Sequence, residues 1–165
     1  MSIIDKKQMT EEDIKLNFIT PAILEKGWQD KITMETKVKF TAGKVNLRGN
    51  LVSREAPKKA DYILYLSKNN PLAVVEAKDN NHGVSFGMQQ AKLYAQMLDV
   101  PFAYSSNGDA FQEYDFITGI EREIGLDDFP SPEELWARYQ NEINNGKGLS
   151  ETERMLIAQP YYTSQ

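Results

Sequence analysis

Two charged residues close an otherwise apolar run in this sequence: Leu72-Ala73-Val74-Val75 leads straight into Glu76-Ala77-Lys78. The run reads as a strand, and the two-residue side-chain period points Glu76 and Lys78 to the same face of its sheet. A covering element normally meets apolar groups there, so a carboxylate beside an ammonium marks a polar cleft. A second strand, Ala60-Asp61-Tyr62-Ile63-Leu64-Tyr65-Leu66, precedes it across the turn sequence Lys68-Asn69-Asn70-Pro71. With the turn centred on Asn69 and Asn70, Asp61 falls opposite Lys78 and Ile63 opposite Glu76. Directly opposed residues share a face, so Asp61, Glu76 and Lys78 are expected to converge at one end of the hairpin. A one-residue slip would carry Asp61 to the other face.

Two carboxylates a few ångströms apart repel and need a cation to stay ionised together. Oxygen ligands without histidine or cysteine suit Mg²⁺, which takes one or two protein carboxylates and keeps several waters. In such a site the ion polarises a phosphodiester and activates a water, while Lys78 positions that water and neutralises phosphoryl charge. The bland alternative is a solvated ion pair at a strand end. Further along, a helix is expected from Ser85 to Leu98, with Met88, Ala91, Ala95 and Leu98 as its core stripe. Gln90 and Tyr94 are four apart on it and share a face flanking that stripe, at the edge of the helix–sheet contact. Taken alone, they would simply be packing residues.

The elements that must carry these residues follow from periodicity and punctuation. A first helix is expected from Glu11 to Lys26, capped by Thr10 with Asp13 three residues on, kinked near Pro21 and stopped by Gly27. Lys31 to Thr41 alternates as a strand, a turn at Ala42-Gly43 follows, and Val45 to Ser53 completes a hairpin. Arg54 to Lys59 is a loop whose cations Arg54, Lys58 and Lys59 are either simply solvated or set to touch a phosphate backbone. Short strands at Phe102–Ser105 and Ala110–Tyr114 flank Asn107-Gly108. Ser131-Pro132-Glu133-Glu134 is a capping box opening a helix that buries Leu135, Trp136, Tyr139 and Ile143. Ser150 to Ala158 reads as a last helix before Pro160. The pattern is α/β, a central mixed β-sheet flanked by helices.

Composition narrows the classes. The 165 residues are 41% hydrophobic and 26% charged, as in an ordinary globular chain with room for a real core. With no cysteine, thiol nucleophiles, zinc-thiolate sites and disulfides are excluded; one histidine, His82, cannot build a multi-histidine metal centre. No apolar run is long enough to span a membrane and the N-terminus lacks a secretory h-region, so a cytoplasmic location is expected. The net charge of −5 predicts weak binding of nucleic acid by this chain alone.

Taken in order, Asp61 … Glu76-Ala77-Lys78 … Gln90-x-x-x-Tyr94 resembles the PD-(D/E)xK nuclease superfamily, in the branch with a trailing Q-x-x-x-Y motif. The surrounding text is similar to the N-terminal nuclease domain of the R (restriction) subunit of type I restriction–modification enzymes. The stretches that carry this likeness include Phe18-Ile19-x-Pro21-Ala22, Val75-Glu76-Ala77-Lys78-Asp79-Asn80-Asn81-His82, Gly87-Met88-Gln89-Gln90-Ala91 and Ser105-Ser106-Asn107-Gly108. The likeness extends over nearly the whole chain. It implies a restriction-endonuclease-like fold, with an endonuclease domain at 1–130 and a helical extension at 131–165 leading toward an absent motor region. It also implies Mg²⁺-dependent cleavage of double-stranded DNA, with Mn²⁺ as a substitute ion. Asp61 and Glu76 would be metal ligands, the Ala77 carbonyl a further ligand and Lys78 the catalytic lysine, with Gln90 and Tyr94 supporting the site or touching DNA. Members often add an acidic residue from the first helix, and Glu12 matches best by position, with Glu11, Asp13 and Glu25 competing. His82, four residues past Lys78, is either a surface-loop histidine or a phosphate contact.

Two departures stand out. Ala60 replaces the proline of the superfamily name, at a position that shapes the turn. The family's R subunit continues into an ATP-driven translocase, whereas this chain holds no Gly-x-x-x-x-Gly-Lys-[Ser/Thr] loop; Gly146-Lys147-Gly148 lacks the spacing. ATP is therefore expected to serve only the full-length subunit, and the chain reads as an excised domain or truncated product. Modification and specificity subunits are the implied partners. The competing reading is a non-catalytic nuclease-fold scaffold that docks onto the motor or modification subunits. A junction resolvase, which would be a compact basic dimer, fits the acidic charge poorly.

Overall fold

Thr10 begins the first helical segment as its chemistry requires. In the computed structural model, its hydroxyl accepts from the Asp13 amide at 3.1 Å, and the Asp13 carboxylate accepts from the Thr10 amide at 3.3 Å. This is the expected capping box. The structure describes residues 5–38 and 59–144. The disturbance expected at Pro21 takes the form of a π-turn: α1 (Glu11–Ile14) widens into Lys15–Ile19 before α2 (Thr20–Leu24). Proline has no amide to give the Asn17 carbonyl and crowds it. The turn before it loosens, and the Thr20 amide reaches back to the Lys15 carbonyl.

Six strands form one sheet in chain order: β1 (Ile32–Lys37), β2 (Lys59–Ser67), β3 (Asn70–Ala77), β4 (Phe102–Ser106), β5 (Ala110–Asp115) and β6 (Ile120–Gly125). Neighbours run antiparallel except β3 and β4, which are parallel. A parallel pair needs a crossover, and α3 (Met88–Leu98) supplies it. The last described helix, α4 (Pro132–Asn144), starts on the expected Ser131–Glu134 capping box.

Alternation along β2 and β3 divides the core into two layers. Tyr62, Leu64 and Val75 pack with Ile14, Ile23 and Leu135, joining the first helical segment and α4 on one face. Ile63 and Val74 pack with Met88, Ala91 and Ala95 of α3 on the other. The sheet is thus mixed and covered by helices on both faces, the α/β arrangement that the sequence implies.

Several details differ from expectation. The β2–β3 pairs are Tyr62↔Val75, Ile63↔Val74 and Leu64↔Ala73, a register two residues away from the one expected. The turn closes on Lys68 and Asn69, with Ser67 opposite Asn70, and the ladder is irregular around Tyr65 and Pro71, where proline has no amide to contribute. A two-residue shift keeps every side chain on its face. Asp61 and Glu76 therefore still converge, now directly opposite each other. Helix α3 begins at Met88, three residues later than expected, because residues 84–87 form turns. In β1, Met34 is exposed despite the alternation, and the next residue, Glu35, takes φ +55° without breaking the β1–β2 register. Strand β6 was not expected at all: Glu121-Arg122-Glu123 sit at its centre, a charged edge with no apolar alternation. The expected strand Val45–Ser53, the residues Arg54 and Lys58, Gly146-Lys147-Gly148 and the helix Ser150–Ala158 lie outside the described residues. No helix among the described residues is long and apolar enough to cross a membrane.

Candidate active site

The β2–β3 ladder ends in an exchange of side chains for main chain. Past the Tyr62↔Val75 pair, the Asp61 carboxylate (Oδ2) accepts from the Ala77 amide at 2.8 Å, and the Glu76 carboxylate (Oε2) accepts from the Asp61 amide at 2.9 Å. Each strand's carboxylate thus takes an amide from the other strand. Burial first, and then the neighbouring Asp61 charge, push the Glu76 carboxyl up to about 8. Burial and a neighbouring like charge both favour the neutral form of Glu76, and a cation placed here would oppose them.

Lys78 continues the strand, its amide donating to the Ser106 carbonyl at 2.9 Å. Its ammonium lies 5.7 Å from the centroid of the Phe86 ring. From the opposite element, α3 brings Tyr94, which is buried, with Gln90 one turn before it. Burial raises the Tyr94 hydroxyl, and the charges of Glu76 and Asp61 raise it further, so this pair stands within electrostatic reach of both carboxylates. Asp61, Glu76, Lys78, Gln90 and Tyr94 are thus brought to one end of the sheet.

The loop that follows Lys78 is tied down at several points. The Asn80 side-chain amide donates to the Asn107 carbonyl at 2.9 Å, and the Asn107 amide donates to the His82 carbonyl at 2.7 Å. The Ser105 hydroxyl donates to the Val84 carbonyl at 2.8 Å and accepts from the Gly87 amide at 3.0 Å. These bonds explain why the stretches around Asn80 and Ser105–Gly108 appear together in the sequence. His82 stays half-exposed, with Nδ1 2.9 Å from Asp79 Oδ1 and its ring 4.1 Å from that of Phe86. Lys59, at the start of β2, is exposed.

The first helix contributes more than the sequence indicated. Glu12 is largely exposed and pairs with Lys15 at 3.4 Å. Glu11 is the residue whose carboxyl feels the site: burial and then the Asp61 charge raise it, while Lys78 and Lys15 lower it. Lys15 itself is buried, pairs with Asp61 Oδ1 at 3.3 Å and makes a close ion pair with Glu35. Nothing in the helical periodicity singled out Lys15, which reads there as one polar residue among many. The one available signal was a lysine one turn after an acidic first turn and six residues before a proline.

The donors that could hold an ion here are all oxygen: the Asp61 and Glu76 carboxylates and the main-chain carbonyl of Ala77, which follows Glu76 in the chain. Among the described residues, no three histidine, cysteine, aspartate or glutamate side chains gather as a metal site. A two-carboxylate set completed by main chain and water is the kind Mg²⁺ accepts.

Comparison with known proteins gives the chain a family. The family described as the type I restriction enzyme R protein N terminus (HSDR_N) matches residues 29–130, which include both strands of the site, α3 and the Asn107-Gly108 turn. The chain belongs to this family. A relative from Escherichia coli, the type I restriction enzyme EcoAI endonuclease subunit, is 40% identical over 98% of the chain. The chain spans about a fifth of that relative's length. A solved fragment of a protein described as an HsdR subunit of a type I restriction enzyme, from Vibrio vulnificus YJ016, is 35% identical. It covers 93% of this chain and 29% of its own, with a TM-score of 0.66. The carboxylate exchange between β2 and β3 therefore lies inside the part of this HSDR_N chain that the family shares.

Proposed function

We propose that this chain is a Mg²⁺-dependent DNA endonuclease domain with the PD-(D/E)xK active site and restriction-endonuclease-like fold, acting within the R subunit of a type I restriction enzyme. The observation that carries the reading is the meeting of Asp61 and Glu76 at the open end of the β2–β3 ladder, with Lys78 next on the strand. Asp61, Glu76 and the Ala77 carbonyl would hold the ion once Glu76 is ionised. Bound there, Mg²⁺ would polarise a phosphodiester and lower the pKa of an attacking water. The Lys78 ammonium neutralises charge developing on the phosphoryl oxygens and orients the water. The water oxygen bonds to phosphorus, the P–O ester bond breaks and the departing oxygen takes up a proton. Gln90 and Tyr94 would support the site from α3 or touch DNA, and the half-exposed His82 would serve as a phosphate contact.

At a net charge of −5 the domain alone grips double-stranded DNA weakly. Firm binding then belongs to the modification and specificity subunits and to a motor region, which is also where ATP acts. The cytoplasm is the compartment that such a restriction complex requires.

Calorimetric titration with Mg²⁺ and with Mn²⁺ tests the site directly. Binding by the wild type that Asp61→Ala and Glu76→Ala both abolish is the expected result. Plasmid nicking that Lys78→Ala removes without loss of metal binding would then assign the chemistry. A folded wild type that binds no ion, even with a non-cleavable duplex present, would overturn the proposal in favour of the scaffold reading.

A further inference from the structure

Lys15 is the most deeply placed cation near the site, and the proposed chemistry makes no use of it. Its side chain is only 7% exposed, a depth that lysine reaches almost only when paired. The ammonium meets Asp61 Oδ1 at 3.3 Å and Glu12 Oε2 at 3.4 Å, with Glu35 in closer contact still. Its three N–H donors are thus set against three carboxylates. Two irregular pieces of backbone converge on this arrangement. The π-turn begins at Lys15, a feature common at functional sites. Glu35 takes φ +55° between the Met34↔Tyr62 and Thr36↔Ala60 pairs, opposite Asp61 in the β1–β2 ladder.

Asp61 is therefore divided between two partners: Oδ2 takes the Ala77 amide and Oδ1 takes the lysine. In sites that use two metal ions, the ions lie roughly 3.5–4 Å apart and clamp both sides of the reacting phosphate. Here the outer side of Asp61, from which a second ion would bridge, already holds a positive charge.

We infer that the Lys15 ammonium fills the place of a second cation, so that this active site is built for one divalent ion and a lysine instead of a metal pair. The one-ion statement rests on the proposed nuclease reading; the occupation of the Asp61–Glu35–Glu12 cage by Lys15 does not.

The test counts Mn²⁺ bound to the whole chain by calorimetry and by electron paramagnetic resonance. One ion is expected for the wild type, two for Lys15→Ala and one again for Lys15→Ala with Glu35→Gln. Lys15→Arg, which keeps the charge, should show no gain. If Lys15→Ala does not fold alone, Lys15→Ala with Glu12→Gln relieves one unbalanced charge and should gain the extra ion as well. Two ions on the wild type, or no gain in either lysine variant, would overturn the inference. A wild type binding none while Lys15→Ala binds one would uphold the cage and defeat the nuclease site instead, so the two failures are separable.

Discussion

Asp61 and Glu76 face each other across two strands, and the raised Glu76 carboxyl makes the site a reporter of its own state. In the folded, ion-free protein the Glu76 carboxyl is raised to about 8 by burial and by Asp61, from an ordinary value of 4.5. Between those two values the folded chain holds a proton that the unfolded chain has released, so stability must fall as pH rises through this window. The expected loss is on the order of 3 kcal/mol between pH 5 and pH 8, read as a falling urea midpoint with chelator present. Glu76→Gln keeps an acceptor for the Asp61 amide but has nothing to ionise, and should flatten that slope. Metal affinity should run the other way, rising with pH until the proton is gone. A slope that persists in Glu76→Gln would assign the titration to another group. The convergence behind this behaviour was legible in the sequence because the period of a strand is two: any odd-sum pairing puts Asp61 and Glu76 on one face. The partner of Asp61 Oδ1 was not legible, since Lys15 arrives from a helix 46 residues away along the chain, and no local pattern encodes that meeting.

At the scale of elements, glycine decides how closely the crossover helix approaches the catalytic strand. Gly87 precedes α3, and a Cβ there would lie 3.0 Å from Ser105 Oγ, 3.5 Å from Glu76 Cβ and 3.6 Å from Lys78 Cγ. Gly87→Ala must push the Ser105 hydroxyl, which already bonds the Gly87 amide and the Val84 carbonyl. We expect a cost of about 1–2 kcal/mol in urea unfolding, together with weaker metal binding, because the displaced strand end carries both Glu76 and Lys78. Gly108→Ala is the control. There φ is +92° and the new Cβ would meet Ile14 Cγ2 at 2.9 Å, so stability should fall at least as far. Its contacts are with Ile14 and Lys6 and not with the carboxylate pair, so metal binding should be kept in the fraction that folds. Equal metal affinity in the two variants would show that α3 does not set the position of the strand end. Most elements could be read from pattern: the Thr10 and Ser131 capping boxes, the apolar run of β3 and the core stripe of α3. The failures have physical causes. Strand β6 is held by the β5 ladder and by charge pairing such as Arg122–Glu113 at 2.9 Å, so it shows no hydrophobic period. The β2–β3 register moved by two because Pro71 cannot donate to the ladder, which left the turn to close at Lys68-Asn69.

Across the whole molecule, the helix after the sheet is fastened by a buried ion cluster that lies apart from the carboxylate pair. Glu113 on β5 is 2% exposed and receives both terminal nitrogens of Arg138 from α4, each at 3.0 Å. Arg122 of β6 donates to it at 2.9 Å and the Tyr104 hydroxyl of β4 at 2.6 Å. Four elements therefore meet at one carboxylate, with the Arg138 guanidinium 4.9 Å from the Phe102 ring centroid. No periodicity announces such a cluster, because each member looks like an ordinary surface charge within its own element. Burial acts against the Glu113 charge, but the bonds from Arg138, Tyr104 and Arg122 prevail and lower its pKa. Its contribution is thus present at neutral pH and lost as pH falls through that lowered value. Removing one partner of a buried pair costs more than the pair contributes, since a charge is left without compensation. Arg138→Ala should therefore destabilise the protein by about 3 kcal/mol at pH 7, with Arg122 and Tyr104 limiting the damage. The penalty should shrink in acid, where Glu113 takes up a proton and no longer needs its partner. Glu113→Gln with Arg138→Met removes both charges and should cost less than Arg138→Ala alone. Urea unfolding at pH 7 and at pH 4 separates these outcomes. A penalty that is the same at both pH values would mean that Arg138 acts through its packing on Phe102, and that α4 is held to the sheet by apolar contact alone.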